Sequence, residues 1–290
     1  MGYDLSSICV TGSQGYLGSY VVEKLLAAGS SVLSLVHTKK KDFEIACDLT
    51  SSNSTQNIFE DKSIDVLIHC AAVVPEKWNE FDQAGRFNNN LVMLKNLSFL
   101  KPQKLIYCSS ISVYGDQTGM LDEQSLTPAP NAYAKSKLEC ENFIGTEGKF
   151  KSFAIIRIPG LFGGNRNSGI VYNTIKALMG QRLPELDNDI PTWNAMHVFD
   201  AVDLLIRAST SHLPSNTILH LGYGIPQGIF RLILEIQALL KVNKIAAPNI
   251  KDNWQFLNIN KQLQYLGFPA QSWYQRLYQE IERVKKMHEL

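Results

Sequence analysis

The sequence has no uninterrupted apolar run of the roughly eighteen residues that a membrane-spanning helix needs. It also lacks a charge of one sign: 28 Lys and Arg stand against 27 Asp and Glu, a formal net charge of +1. That balance argues against a polyanion-binding surface or a basic arm, so neither nucleic acid nor a membrane is an expected partner. Cysteine is sparse. The five residues Cys9, Cys47, Cys70, Cys108 and Cys140 are odd in number, and none are paired at CxxC spacing. They read as small core residues of a reduced, cytoplasmic protein, not as disulfides or metal ligands. No internal repeat and no low-complexity tract interrupts the chain. The opening residues Met1-Gly2-Tyr3-Asp4-Leu5 carry no basic segment and no long apolar stretch, so no secretory signal is expected. Met1-Gly2 with Ser6 formally meets a myristoylation pattern, but Ile8 already opens a strand, and no lipid is expected there.

What is present is an alternation. Short runs rich in Ile, Val and Leu lie at 8–10, 32–36, 43–46, 66–70, 105–108 and 154–158, bounded by Gly, Ser or Pro. Continuous apolar runs of this length fit strands buried on both faces, as in a parallel sheet. Helical patterns over 16–28, 81–100 and 131–147 separate them. This βαβ rhythm predicts an α/β fold, a Rossmann-type doubly wound parallel sheet. After Gly160 the rhythm changes: a loop at 163–165, a helix over 168–180, a loop over 183–191, a helix over 198–209, a strand over 217–221 and a tail helix over 273–290. With 290 residues, one large domain plus a small lobe is expected. The boundaries read as a dinucleotide-binding domain over 1–160 with 195–222 returning to it, and a small substrate-binding lobe from 161–194 and 223–290.

The first strand runs into Thr11-Gly12-Ser13-Gln14-Gly15-Tyr16-Leu17-Gly18, and a helix follows. Gly12 permits a tight turn, Gly15 lets the backbone approach a pyrophosphate, and Gly18 lets helix and strand pack closely. The helix N-terminus offers free N–H groups and the positive end of its dipole to phosphates. A glycine-rich turn without a ligand is the bland alternative. Position between the first strand and the first helix favours a dinucleotide.

The GxxGxxG spacing resembles the extended short-chain dehydrogenase/reductase family, also called the NAD-dependent epimerase/dehydratase family. The resemblance continues along the chain through Asp48-Leu49, His69-Cys70-Ala71-Ala72, Asn90 and Asn96, Ser109-Ser110-Ile111-Ser112-Val113-Tyr114-Gly115, Tyr133-Ala134-Lys135-Ser136-Lys137, Arg157-Ile158-Pro159-Gly160, His197-Val198-Phe199-Asp200 and Leu266-Gly267-Phe268-Pro269. By this resemblance Gly12, Gln14, Gly15, Tyr16, Leu17, Gly18, His37, Lys39, Asp48, Leu49, Ala71, Ala72, Asn90, Lys137 and Pro159 are expected at the cofactor. Tyr133 is implied as general acid/base, Lys137 as its electrostatic partner and ribose ligand, and Ser110 as donor to the substrate oxygen.

The residues themselves support that chemistry. Hydride transfer to or from an oxygen-bearing carbon requires a proton to move on the oxygen. A tyrosine is a poor base unaided, and a nearby ammonium favours its phenolate. Tyr133 and Lys137 are four apart, so a helix brings them to one face. A surface tyrosine beside a solvated lysine is the alternative, and Ser109 and Ser112 compete with Ser110 for its role.

Other absences narrow the reaction. Sugar dehydratases of the resembled family carry a carboxylate pair where this chain has Ile111 and Ser112. Two-step epimerase-reductases place a cysteine where it has Ile111. Both departures leave a carbonyl–alcohol interconversion: a 4-ketoreductase or a 4-epimerase, expected on a nucleotide-linked sugar. A reductase of a small non-nucleotide ketone and a non-catalytic dinucleotide sensor are the alternatives. The second strand ends in Val36-His37-Thr38-Lys39-Lys40-Lys41 with no acid, which favours NADP over NAD by charge. Nucleotide-sugar members often hold the diphosphate with an arginine where this chain has Trp193, so Arg166 and Arg182 are candidate replacements. No metal is expected. A homodimer through helices 81–100 and 131–147 is implied by the resemblance.

Overall fold

The computed structural model describes residues 7–59, 63–148, 150–185, 192–242 and 253–288. Its strands are β1 (Ile8–Thr11), β2 (Val32–Val36), β3 (Glu44–Ala46), β4 (Val66–His69), β5 (Lys104–Ser110), β6 (Gly119–Leu121), β7 (Phe153–Ile158), β8 (Gly160–Phe162), β9 (Ala195–His197), β10 (Thr217–His220) and β11 (Gln255–Leu257). Its helices are α1 (Tyr16–Ala27), α2 (Ser52–Phe59), α3 (Asn88–Ser98), α4 (Ala132–Thr146), α5 (Ile170–Met179), α6 (Val198–Thr210), α7 (Ile229–Leu240), α8 (Asn260–Tyr265) and α9 (Trp273–His288).

Seven strands form one parallel sheet in the order β10-β7-β5-β4-β1-β2-β3. The doubly wound parallel architecture expected from the apolar runs is present. From β1 the chain winds one way through β2 and β3 and the other way from β4 outward. The switch therefore lies between β1 and β4, where ligands of such sheets bind at the C-terminal strand ends. The sheet is buried on both sides. Val21, Leu25, Ala201 and Leu205 of α1 and α6 pack on one face, and Met93, Leu97, Cys140 and Ile144 of α3 and α4 on the other. A third cluster joins α5, α7 and α9 through Ile175, Ile233 and Leu277. Two short pairs, β6 with β11 and β8 with β9, extend beyond the C-terminal edge of the main sheet.

Several boundaries move. The helix expected over 81–100 begins at Asn88. Gly85 takes a positive φ of 77° in the preceding turn, a conformation that interrupts a helix. The strand expected from residue 43 begins at Glu44, and the tail helix ends at His288 within the described residues. Of the loop over 183–191, residues 186–191 lie outside the described residues. The polar helix α2 and the strands β6, β8, β9 and β11 carry too few apolar positions to stand out in the sequence. Among the described residues, no helix is long and apolar enough to cross a membrane.

Candidate active site

The glycine loop is shaped by backbone contacts. Gly12 has φ +64°, and a Cβ there would stand 2.6 Å from the Ala71 nitrogen at the end of β4. A Cβ on Gly18 would stand 2.3 Å from the Gly12 carbonyl oxygen, so α1 packs against the loop only without a side chain. Gly15 differs: its Cβ would meet only the Gly12 oxygen, at 3.1 Å. Gly15 caps α1 with no side-chain acceptor, leaving the first-turn N–H groups of Tyr16, Leu17 and Gly18 to be satisfied from outside the helix. A cradle that is open at Gly15 and lined with unpaired N–H groups fits a pyrophosphate.

Other expected cofactor positions gather along the same strand edge. Ala71 and Ala72 are half-buried just after β4, and Thr11 Oγ1 accepts from Ala71 N at 3.3 Å. Pro159 is buried between β7 and β8. His37 and Lys39 are exposed beyond β2. Asp48 accepts from the Thr50 hydroxyl and amide; these bonds lower its pKa, and His37 adds to the effect. Leu49 is buried, and its carbonyl accepts from Asn96 Nδ2 at 2.8 Å. Asn90 binds protein groups with both ends of its amide. It accepts from Val73 N at 2.7 Å and donates to Val73 O and Ser136 Oγ, tying the segment after β4 to α4. Tyr16 turns its hydroxyl away from the loop, donating to Gly163 O at 2.7 Å beneath the Arg166 guanidinium.

The proton-transfer candidates are positioned by α4. Asn131 accepts from Ala134 N at 2.9 Å and fixes the start of that helix. Tyr133 then sits in the first turn and Lys137 one turn later on the same side. The Tyr133 ring is held edge-on by Phe81 and Phe87, with centroids 5.7 and 5.4 Å away, and its N–H donates to Phe81 O. Lys137 is buried. Its Nζ donates to Cys108 O at 2.9 Å and lies 6.0 Å from the Tyr133 ring centroid. Cys108 belongs to β5, so one hydrogen bond ties α4 to the strand that ends in Ser110.

The three serines separate cleanly. Ser109 is buried and donates to Glu141 Oε1. Ser110 Oγ accepts from Ser112 N at 3.1 Å, so its own hydroxyl proton is free for another acceptor. Among the described residues, Ser112 Oγ is buried with no hydrogen-bond partner. Beneath them, Arg157 grips Glu141 with Nε and Nη2 and donates through Nη1 to the Tyr114 hydroxyl, which bonds His220. His69 bonds Thr11 Oγ1 at 2.7 Å, and burial together with Lys137 pushes its pKa down to about 3, so the imidazole is neutral.

The candidate substrate residues Arg166, Arg182 and Trp193 have different surroundings. Arg166 stacks over Tyr16 and donates to Leu161 O, Arg182 is exposed after α5, and Trp193 packs edge-on against Trp273. Among the described residues, no three His, Cys, Asp or Glu side chains are placed to hold a metal.

A model of the NAD dependent epimerase/dehydratase family matches residues 8–222. The chain belongs to this family. The family and the matched relatives are NAD-dependent epimerases, dehydrogenases and dehydratases, and this chain is an enzyme of that kind. The chain is 26% identical over 284 residues to the GDP-6-deoxy-D-talose 4-dehydrogenase of Aggregatibacter actinomycetemcomitans, covering 91% of this chain and 88% of that one. It is 29% identical over 153 residues to the UDP-glucose 4-epimerase of Lacticaseibacillus casei, covering 48% and 46%. Among solved structures, the UDP-glucose 4-epimerase of Thermotoga maritima with UDP-glucose superposes with a TM-score of 0.78 at 19% identity, over 97% of this chain and 99% of that one. MoeE5 in complex with UDP-glucose and NAD gives 0.78 at 22%, with the same coverage. These structural likenesses show the shared fold.

Sequence reasoning missed two features of the site. One is Glu44, whose carboxylate reaches Gln14 of the glycine loop. Its only signal was an acid inside an apolar run. The other is the pairing of Ser109 with Glu141, 32 residues away, which no local pattern announces.

Proposed function

We propose that this enzyme interconverts an alcohol and a ketone at C4 of a nucleotide-linked sugar. The observation that carries the reading is the Lys137–Cys108 bond, which joins α4, bearing Tyr133 and Lys137, to β5, the strand that ends in Ser110. When bound, the dinucleotide supplies the hydride acceptor or donor. The protein manages the proton. In oxidation Tyr133 Oη takes the proton of the substrate hydroxyl, and in reduction it returns it. The Lys137 ammonium stabilises the negative charge left on the phenolic oxygen. Ser110 donates its hydroxyl proton to the reacting oxygen. Ile111 and Ser112 carry no carboxylate to assist loss of water, so dehydration is not part of the reading.

One relative matched along most of its length is a 4-dehydrogenase, and this supports oxidation or reduction at C4 without inversion. The second reading, 4-epimerisation, rests on 4-epimerases, some matched over most of this chain and others over about half of it. The domain that holds the dinucleotide is 1–160 with 195–222. The lobe of 161–194 and 223–290 receives the sugar nucleotide, with Arg166, Arg182 and Trp193 as candidate contacts. The lysines at 39–41 favour NADP by charge, whereas the Glu44 carboxylate opposes a 2′-phosphate. Five unpaired cysteines suit a reducing compartment such as the cytoplasm. A homodimer through the outer faces of α3 and α4 suits the exposed Val92 and Phe99.

The test is a substrate comparison. With NAD or NADP and GDP-6-deoxy-D-talose, a 4-dehydrogenase forms reduced nicotinamide, followed by its absorbance. With UDP-glucose, an epimerase forms the C4 epimer, identified by proton NMR, with no net reduction. Failure with both classes, alongside turnover of a simple ketone with reduced nicotinamide, would replace the sugar reading.

A further inference from the structure

Glu44 opens β3, yet its carboxylate does not face the sheet's exposed edge. It turns back under the loop that follows β2. Its Oε2 accepts from Lys40 N at 2.7 Å, Lys41 N at 2.9 Å and Gln14 Nε2 at 3.0 Å, and the same Gln14 amide nitrogen donates to Thr38 O. All three bonds to Glu44 end on one oxygen, which leaves Oε1 to accept from a ligand. Gln14 stands between Gly12 and Gly15, so its side chain is anchored at the pyrophosphate loop. The contacts with Thr38 and Glu44 then carry that side chain across to the end of β2. In a Rossmann sheet the adenosine ribose lies between these two places, and an acid there bonds its hydroxyls.

We infer that Glu44, positioned by Gln14, is the acid that reads the adenosine ribose and selects NAD(H) against NADP(H). A carboxylate is an acceptor for the ribose 2′-hydroxyl but repels a 2′-phosphate, which carries nearly two negative charges. The bonds from Lys40 N, Lys41 N and Gln14 keep it ionised, since they lower its pKa despite burial. The opposing cations are Lys39, Lys40 and Lys41, with the His37 imidazole beside them. All four are exposed, and Lys41 Nζ leans over the Phe43 ring at 5.5 Å. Flexible solvated ammoniums are screened by water and salt, whereas the Glu44 carboxylate is buried and fixed in place. Asp42 in the same loop, and Asp48, which His37 faces, add to the negative field. The lysine run after β2 thus points to NADP only while the acid from the neighbouring strand is overlooked.

This inference rests on the glycine loop being a dinucleotide site, and the experiment separates the two. The full-length protein is titrated with NADH and with NADPH, following tryptophan fluorescence, before and after Glu44→Gln. Expected is tighter binding of NADH by the unaltered protein, by about tenfold or more, and a preference narrowed by about tenfold in the variant. Tighter binding of NADPH by the unaltered protein, or an unchanged preference in a folded Glu44→Gln, would overturn the selectivity while leaving the dinucleotide site intact. Binding of neither would overturn both. Should Glu44→Gln fail to fold, the preference of the unaltered protein decides alone.

Discussion

At the residue scale the three glycines of the loop have three different reasons to be glycine, and substitution separates them. Gly18→Ala drives a Cβ into the Gly12 carbonyl, contact between backbone atoms that no rotamer relieves. It is expected to lower stability by about 1–3 kcal/mol, the usual cost of overpacking, read from thermal or urea unfolding. Gly15→Ala meets only one oxygen at 3.1 Å and is expected to leave the unfolding midpoint nearly unchanged. Its effect should appear in dinucleotide affinity, because the new methyl group occupies the approach of the pyrophosphate. Equal loss of stability in both variants would deny Gly15 a ligand-facing role.

At the scale of elements, the strand that ends in Ser110 is held from below. Ser109 donates to Glu141 of α4, and Glu141 is in turn clasped by Arg157 of β7, with both charged side chains only 4% exposed. Burying such a pair yields little net stability, but stranding one charge costs about 3–5 kcal/mol. Arg157→Met should therefore destabilise the protein by roughly that amount in chemical unfolding, leaving Glu141 without its cation. Arg157→Met combined with Glu141→Leu should recover much of the loss. No recovery in the double variant would mean that the pair does more than neutralise itself.

The same elements show what the sequence made legible. Helix α4 could be read because Tyr133 and Lys137 lie four residues apart, and helical spacing alone brings them together. The sheet could be read because strands buried on both faces leave continuous apolar runs. The start of α3 was misplaced because the apolar pattern does not show the Gly85 turn. Contacts such as Gln14 with Glu44 and Ser109 with Glu141 were hidden because they join elements 30 and 32 residues apart, which only the assembled sheet brings together.

At the scale of the whole molecule, three buried histidines link stability to pH. Burial lowers His69 to about 3 and His197 and His220 to about 4, against an ordinary value of 6.5. The fold prefers each imidazole neutral, so each contribution is complete above pH 6.5 and is lost as pH falls toward the folded values. Thermal melts should be flat from pH 8 to 7 in this respect and fall steadily between about 6.5 and 4. His220→Gln, which keeps a polar group beside Tyr114, should flatten part of that fall. The ion pair of Asp200 with Arg276 joins α6 to α9, with Asp200 fully buried.

The most direct test concerns Tyr133, on which the proposed chemistry turns. Turnover of a 4-keto or 4-hydroxy nucleotide sugar, together with dinucleotide affinity, is measured for the unaltered enzyme and for Tyr133→Phe. Removing only the phenolic oxygen should reduce turnover by about 10²–10⁴-fold, the range of general acid–base catalysis, while dinucleotide affinity changes little. Turnover by Tyr133→Phe equal to that of the unaltered enzyme would contradict the proton role of Tyr133 and with it the proposed mechanism.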